Sequence, residues 1–330
     1  MVQTVGVVGA GQMGRGIIKN LVQKGFAVRV YDTSERALAA ARDMGALPTP
    51  SPAEAAAGAE AVVLSLPAPE VVREVVLGDE GVLGTLKAGA VIVDTSTIDP
   101  ATARDLAARA AQRDVAFLDA PVSGGPPGAE AGTLAIMVGG DRAAFDYVQP
   151  VLQAIGTSIY YVGASGSGQT AKLCHNMVVS VTTVILAEAL LTGSKAGIDP
   201  KLLADIMAHG VARSGTLELF GPNLTRGSYT DLIVRLTIME KDLHLFLQLA
   251  ESLDMPTFLP QAAHQFYRAA RLQGKGDLDQ TAVCQVLEEL AAWRIAGGPS
   301  TEAAGGPSRN SSSQAADGAG PAGTGSRSNV

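Results

Sequence analysis

The feature that most constrains the fold of this chain lies in its first fourteen residues. An apolar run, TVGVV, leads directly into Gly9-Ala10-Gly11-Gln12-Met13-Gly14, a G-x-G-x-x-G turn that opens a helical stretch. In such a turn Gly9 permits the sharp reversal, Gly11 lets the backbone approach a pyrophosphate, and Gly14 lets helix and strand pack closely. The helix start then directs unpaired N–H groups and the positive end of its dipole at the phosphates. Glycine turns are common in ordinary loops, so the weight comes from context. Here the alternation continues, with FAVRVYD before SERALAAARDMG, AVVLSL before PEVVREVVL, AVIVDTS before PATARDLAARAAQ, and then VAFLDA. Continuous Val/Ile/Leu strands between amphipathic helices predict an α/β domain with a mostly parallel sheet covered on both faces.

The 330 residues are enough for two domains with proper cores. The predicted divisions are a dinucleotide-binding domain over 1–163, an all-helical domain over 164–296 that begins with a long linking helix, and a tail over 297–330. Beyond residue 166 strand-like runs give way to helical periodicity, as in VTTVILAEALLTGSKAG and EKDLHLFLQLAESL. The tail has no Ile, Leu, Phe or Met, too little apolar surface to offset chain entropy, and is expected to be disordered. A net charge of −7 argues against a nucleic-acid binder. Two cysteines, Cys174 and Cys284, make no disulfide framework, and no secretory signal is visible after Met1, so a cytoplasmic setting is expected. The apolar stretch around 171–193 is interrupted by Lys172, His175, Asn176 and Glu188 and reads as a core helix rather than a membrane span.

Asp32 ends the second strand, 23 residues after Gly9. A carboxylate there accepts from a ribose 2′-hydroxyl and repels a 2′-phosphate, and the next arginine is Arg36, so NAD is favoured over NADP. Asp32 is equally suited to capping the helix that starts near Ser34. Two later loops, TSTIDP (95–100) and DAPVSGG (119–125), fall at the carboxyl ends of strands, where open α/β sheets bind ligands. In the second, Ser123, Gly124 and Gly125 offer a hydroxyl and backbone N–H groups that suit a carboxylate, though a plain sharp turn needs the same residues.

GQTAKLCHN (168–176) places Lys172, His175 and Asn176 at i, i+3 and i+4, on one helical face. An amine in an apolar cleft has a lowered pKa and suits proton transfer. On its own the lysine is as well explained by snorkelling from a helix end. Cys174 faces away from Lys172 and reads as core. His209, His244 and His264 have no metal-ligand spacing, and no metal is expected.

Five motifs then occur in one order: GxGxMG, DTSTIDP, DAPVSGG followed by AGTLAIMVGG, GSGQTAKLCHN, and MEKDL. Together, over about residues 1–295, they resemble the β-hydroxyacid dehydrogenase family, which includes 3-hydroxyisobutyrate, tartronate semialdehyde and L-threonate enzymes. The resemblance implies a Rossmann-like domain joined by a long helix to an all-α domain, in homodimers or homotetramers. It implies an NAD(P)-dependent oxidoreductase for a small 3-hydroxycarboxylic acid; the charge and the interrupted apolar helix add the expectation of no nucleic-acid or membrane partner. Carried over residue by residue, it implies cofactor contacts from Gly9 to Gly14, from Leu66 and Pro67, from Thr97, and from Lys241 with its neighbour Asp242. It likewise implies a substrate-carboxylate loop at Ser123, Gly124 and Gly125, a catalytic Lys172, and an orienting Asn176.

His175 is the ambiguous member. The form K-x-x-H-N also resembles 6-phosphogluconate and L-threonate dehydrogenases, so a sugar-acid substrate is the alternative, beside a histidine that merely supports its neighbours. Imine reductases and non-catalytic cofactor-binding relatives differ at the lysine that this chain keeps. Near the second lysine, TRGSYTDLIVRLTIMEKDL lacks the family's phenylalanine and has Val234 and Arg235 there instead. Arg235 and Arg213 are either surface residues or binders of a second anionic group.

Overall fold

The computed structural model describes residues 2–299. Six strands run parallel in the order β3-β2-β1-β4-β5-β6: β1 (Thr4–Val8), β2 (Ala27–Tyr31), β3 (Leu47–Pro48), β4 (Ala61–Leu64), β5 (Val91–Asp94) and β6 (Ala116–Asp119). The helices between them are α1 (Gln12–Gln23), α2 (Glu35–Asp43), α3 (Pro52–Ala56), α4 (Pro69–Leu77) and α5 (Pro100–Ala111). The chain runs from β1 outward through β2 and β3 and then returns to the other side of β1 as β4. That reversal opens a crevice beyond the carboxyl ends of β1 and β4.

Alternate residues of each central strand enter different cores. Val5, Val7, Val63, Val91 and Val93 pack on one face with Ile17, Ile18 and Leu21 of α1. Val8, Val62, Leu64 and Ile92 pack on the other with Ile98, Ala103 and Leu106. Burial on both faces explains why these strands read as unbroken apolar runs rather than alternating ones.

Beyond β6 the sheet changes direction. β7 (Val122–Ser123), α6 (Gly125–Ala131) and β8 (Leu134–Gly139) follow; β8 runs antiparallel to β7 and meets β6 through the single pair Asp119 and Gly139. The short helices α7 (Arg142–Tyr147) and α8 (Gln149–Ile155) lead to β9 (Gly156–Gly163), which pairs parallel with β8.

From β9 the chain enters α9 (Ser167–Lys195), a single 29-residue helix. Around its second half pack α10 (Pro200–His209), α11 (Gly215–Arg226), α12 (Leu236–Ser252), α13 (Leu259–Ala270) and α14 (Cys284–Ala291). Their core is built from Leu186, Ala187, Leu190, Leu217, Leu243, Tyr267 and Val283. Among the described residues α9 alone is long and apolar enough to cross a membrane, with mean hydropathy 1.7, yet its Leu186, Ala187 and Leu190 are inside this core. The helical region ends in a strand pair the sequence did not signal, β10 (Trp293–Arg294) against β11 (Gly298–Pro299). Gly298 and Pro299, which the sequence reading placed in the tail, thus pair with the helical region, and the rest of the expected tail, from 300 on, lies outside the described residues.

Cys174 is exposed, not core. It does face away from Lys172, but that side of α9 is left uncovered, and Val178 and Ile185 continue the same exposed stripe at 55% and 51%. Helical geometry gave the direction correctly; periodicity could not show that nothing in this chain covers that side.

Candidate active site

At the crevice, Gly9 has φ +97° and donates its N–H to Tyr31 O at 2.9 Å. A Cβ at Gly14 would lie 1.9 Å from Gly9 O, so only glycine fits between turn and helix. A Cβ at Gly11 would meet nothing within 4 Å, and α1 starts at Gly11 without a side-chain cap. The first turn of α1 thus keeps its N–H groups for an outside acceptor, with open space in front of Gly11, as a dinucleotide pyrophosphate requires. Exposed Gln12, half-buried Met13 and buried Ala10 complete the turn.

Asp32 accepts from the glycine turn and from Ser34, but the cap of α2 is Ser34 rather than Asp32. Its Oδ2 accepts from Ala10 N (2.6 Å) and its Oδ1 from Ser34 N (2.8 Å), while Ser34 Oγ itself caps α2 by accepting from Ala37 N. A carboxylate has about four acceptor positions, so two N–H bonds leave capacity for a ligand hydroxyl. Leu66 and Pro67 follow β4 across the crevice from the glycine turn, Leu66 half-buried and Pro67 exposed. Leu66 N donates to Ser96 Oγ at 2.9 Å, tying this loop to the one after β5.

That second loop is held from below by groups that sequence reading did not select. Asp94 and Asp119 end β5 and β6 as register partners, and both are fully buried. Burial pushes Asp94 up to about 7, against its hydrogen bonds from Ser96. Asp119 accepts Gly166 N (2.7 Å) and Gln169 N (3.0 Å), so a strand end caps α9, whose own N-cap Gly166 has no side chain to do it. Gly168 lies so close to the sheet that a Cβ there would sit 2.3 Å from Met137 O. Buried Gln169 donates to Ser96 O (2.9 Å) and accepts from Ile98 N (3.1 Å), fixing the Thr97 backbone between them. The visible signal was the repeated Asp at the end of VIVD and AFLD, but their pairing is a product of topology.

One turn into α9, Lys172 is buried at 7% exposure. Loss of water lowers its pKa from 10.5 to about 8; the Asp242 carboxylate opposes this and the Lys241 charge adds to it. Asn176, also buried, donates from Nδ2 to Asp242 Oδ2 at 2.6 Å. Asp242 Oδ1 lies 3.0 Å from Lys241 Nζ, which also donates to Thr97 O at 2.6 Å. On the other side, His175 Nδ1 is 3.0 Å from Asn176 Oδ1, and His175 Nε2 is 3.3 Å from Ser123 Oγ. Burial, then the Lys172 charge, lowers the pKa of His175, with the Asn176 bond opposing. Gly124 and Gly125 follow Ser123 with φ +125° and +60°, and a Cβ on Gly125 would come 3.8 Å from Ile233 of the second domain.

A continuous polar chain therefore runs Ser123–His175–Asn176–Asp242–Lys241–Thr97, with the Lys172 amine beside it. The structure does not bring the two arginines here: Arg213 is exposed, and Arg235, 57% exposed, has its nearest acid in Asp277 at 3.9 Å. No group of three or more potential metal ligands exists among the described residues.

A doubly wound sheet with a glycine turn at its switch point, and a buried lysine brought over it by a second helical domain, defines the class: an NAD(P)-dependent dehydrogenase. Comparison with known proteins agrees. Residues 4–163 match the NAD binding domain of 6-phosphogluconate dehydrogenase, and residues 166–287 match the NAD-binding domain of NADP-dependent 3-hydroxyisobutyrate dehydrogenase. A probable mitochondrial 3-hydroxyisobutyrate dehydrogenase of Dictyostelium discoideum is 39% identical, over 87% of this chain and 91% of its own length. A 2-(hydroxymethyl)glutarate dehydrogenase of Eubacterium barkeri is 35% identical, over 89% and 98%. The crystal structure of a 3-hydroxyisobutyrate dehydrogenase from Salmonella typhimurium superposes with TM-score 0.80 at 31% identity, covering 86% of this chain and 99% of that one. The chain belongs to the β-hydroxyacid dehydrogenase family.

Proposed function

We propose that this enzyme interconverts a small 3-hydroxycarboxylic acid and its semialdehyde, with Lys172 as general acid and base. The observation that carries the reading is a buried amine, lowered to about 8, standing beside Asn176 at the mouth of the dinucleotide crevice. The substrate carboxylate is received at the loop of Ser123, Gly124 and Gly125, through the backbone N–H groups of Gly124 and Gly125. Asn176, fixed by Asp242, directs the substrate hydroxyl toward Lys172, which takes its proton in oxidation and returns one in reduction. When bound, the nicotinamide supplies the chemistry of hydride acceptance. Thr97 and Lys241 border its site, and their mutual hydrogen bond holds the β5 loop against the second domain.

NAD is the favoured cofactor, because the Asp32 carboxylate lies where a 2′-phosphate would bring further negative charge. A homodimer or homotetramer is supported by α10, which has no buried residue and exposes Leu202 and Ile206 at 53% and 56%. A cytoplasmic setting fits the two free cysteines. The deciding experiment is a screen of NAD against NADP with 3-hydroxyisobutyrate, glycerate, L-serine, L-threonate and 4-hydroxybutyrate. Reduction of either nucleotide with a 3-hydroxyacid, lost in Lys172→Ala while nucleotide still binds, is expected. Undiminished turnover in that variant would remove Lys172 from the mechanism.

A further inference from the structure

We infer that His175 sets the direction of the Ser123 hydroxyl, and so selects acids that carry a hydrogen-bond donor on the carbon beside the carboxylate. The inference rests on the placement of the carboxylate at residues 123–125 and of the reacting hydroxyl at Lys172 and Asn176. Its starting point is Asp242, buried and 3.0 Å from the Lys241 ammonium. Its Oδ1 takes the ion pair with that ammonium, and its Oδ2 faces Asn176 as an acceptor. The Asn176 amide therefore presents its NH2 to Asp242 (2.6 Å) and its oxygen to His175 Nδ1 (3.0 Å). An oxygen facing Nδ1 requires the proton of a neutral imidazole to sit on Nδ1, which leaves Nε2 a bare acceptor. Ser123 Oγ, 3.3 Å from that nitrogen, then gives its only proton to His175 and shows lone pairs to the cleft.

The position of those lone pairs matters. Ser123 starts the carboxylate loop, and His175 adjoins the asparagine that directs the reacting hydroxyl. The Ser123 oxygen thus faces the carbon between carboxyl and reacting carbon. A hydroxyl or ammonium substituent there donates to Ser123. A methyl group leaves the oxygen desolvated without a partner, and a site built for a donor discriminates against such an analogue. The carboxylate itself is left to the backbone N–H groups of Gly124 and Gly125, since Ser123 has no proton to offer it.

Glycerate and 3-hydroxyisobutyrate differ at this carbon by hydroxyl against methyl, and the ratio of their kcat/KM values reads the preference. The ratio should fall by about tenfold or more in His175→Leu, and far less in His175→Gln, whose amide oxygen can stand in for Nε2. In a Ser123→Ala background His175→Leu should leave the ratio unmoved. A ratio within about twofold of the parent in His175→Leu, or an equal fall without Ser123, overturns the inference. Should neither acid turn over, the proposed function fails, and the same ratio is read from dissociation constants on the NAD-loaded enzyme. Binding of neither acid overturns both. A separate readout needs no substrate: with four histidines in the chain, nitrogen-15 NMR of the holoenzyme can assign the His175 ring by difference from His175→Gln. The Nδ1–H form is expected, and an Nε2–H form would refute the relay.

Discussion

Oxidation by this enzyme should switch on across a pH window that belongs to Lys172. In its proposed role the lysine must be a free base to accept the hydroxyl proton, and burial places its pKa at about 8 rather than 10.5. At pH 7 about a tenth of the enzyme then holds the competent form, and at pH 9 about nine-tenths. The oxidative kcat/KM should rise by about tenfold between those values and then level off. In the reductive direction the ammonium is the competent form, so the rate should fall over the same interval. Initial rates from nicotinamide absorbance, at constant ionic strength from pH 6 to 10, give both curves. Two substitutions tie the midpoint to this lysine. Asp242→Asn removes the carboxylate that raises the Lys172 pKa, so the midpoint should move down; Lys241→Gln removes a charge that lowers it, so the midpoint should move up. The heights of both curves will drop, because Asp242 and Lys241 also hold Asn176 and Thr97, and only the midpoints are diagnostic. An oxidative rate that declines from pH 7 to 9, or midpoints that shift together, would refute the assignment.

Three further outcomes follow from particular contacts. Below pH 8 the folded protein carries Lys172 protonated at a cost of about 3 kcal/mol relative to the unfolded chain. That cost fades as pH rises from 8 toward 10.5. Lys172→Met should therefore be inactive yet more stable at pH 7, with a gain that shrinks by pH 10, as urea unfolding at the two pH values can measure. Gly14→Ala puts a Cβ 1.9 Å from Gly9 O; the turn must shift, weakening NAD binding by at least about tenfold in a fluorescence titration. Gln169→Ala strands Ile98 N–H and Ser96 O in the interior and should cost about 2–4 kcal/mol by chemical denaturation. A loss below about 1 kcal/mol would mean that water replaces the side chain there.

The sheet and its glycine turn were legible because both are local. A strand buried on both faces must be apolar throughout, and a helix packed against its own turn must have glycine at residues 9 and 14. The common face of Lys172, His175 and Asn176 was legible for the same reason, being a matter of helical spacing. What joins these pieces was not. Asp119 caps a helix that begins 48 residues later, and Gln169 fastens a loop more than 70 residues back. Neither residue type is unusual where it stands, and only the paired strand ends and the close approach of Gly168 give them partners. Cys174 shows the converse limit. Its direction on the helix could be read from spacing, whereas its exposure depends on what the rest of the chain leaves uncovered.

The long helix α9 has a mechanical consequence. Its first turn is fastened to the sheet by Asp119 and by the close packing of Gly168, while its last turns form the spine of the second domain. At 1.5 Å per residue it is a rod of about 43 Å, clamped at one end. A tilt of about 5° at the clamp would carry the far end about 4 Å, while Lys172, about one turn from the pivot, would move by about a seventh as much. Such a tilt would widen the cleft at its rim and leave the amine in register with the crevice, which would put access and proton transfer at opposite ends of one lever.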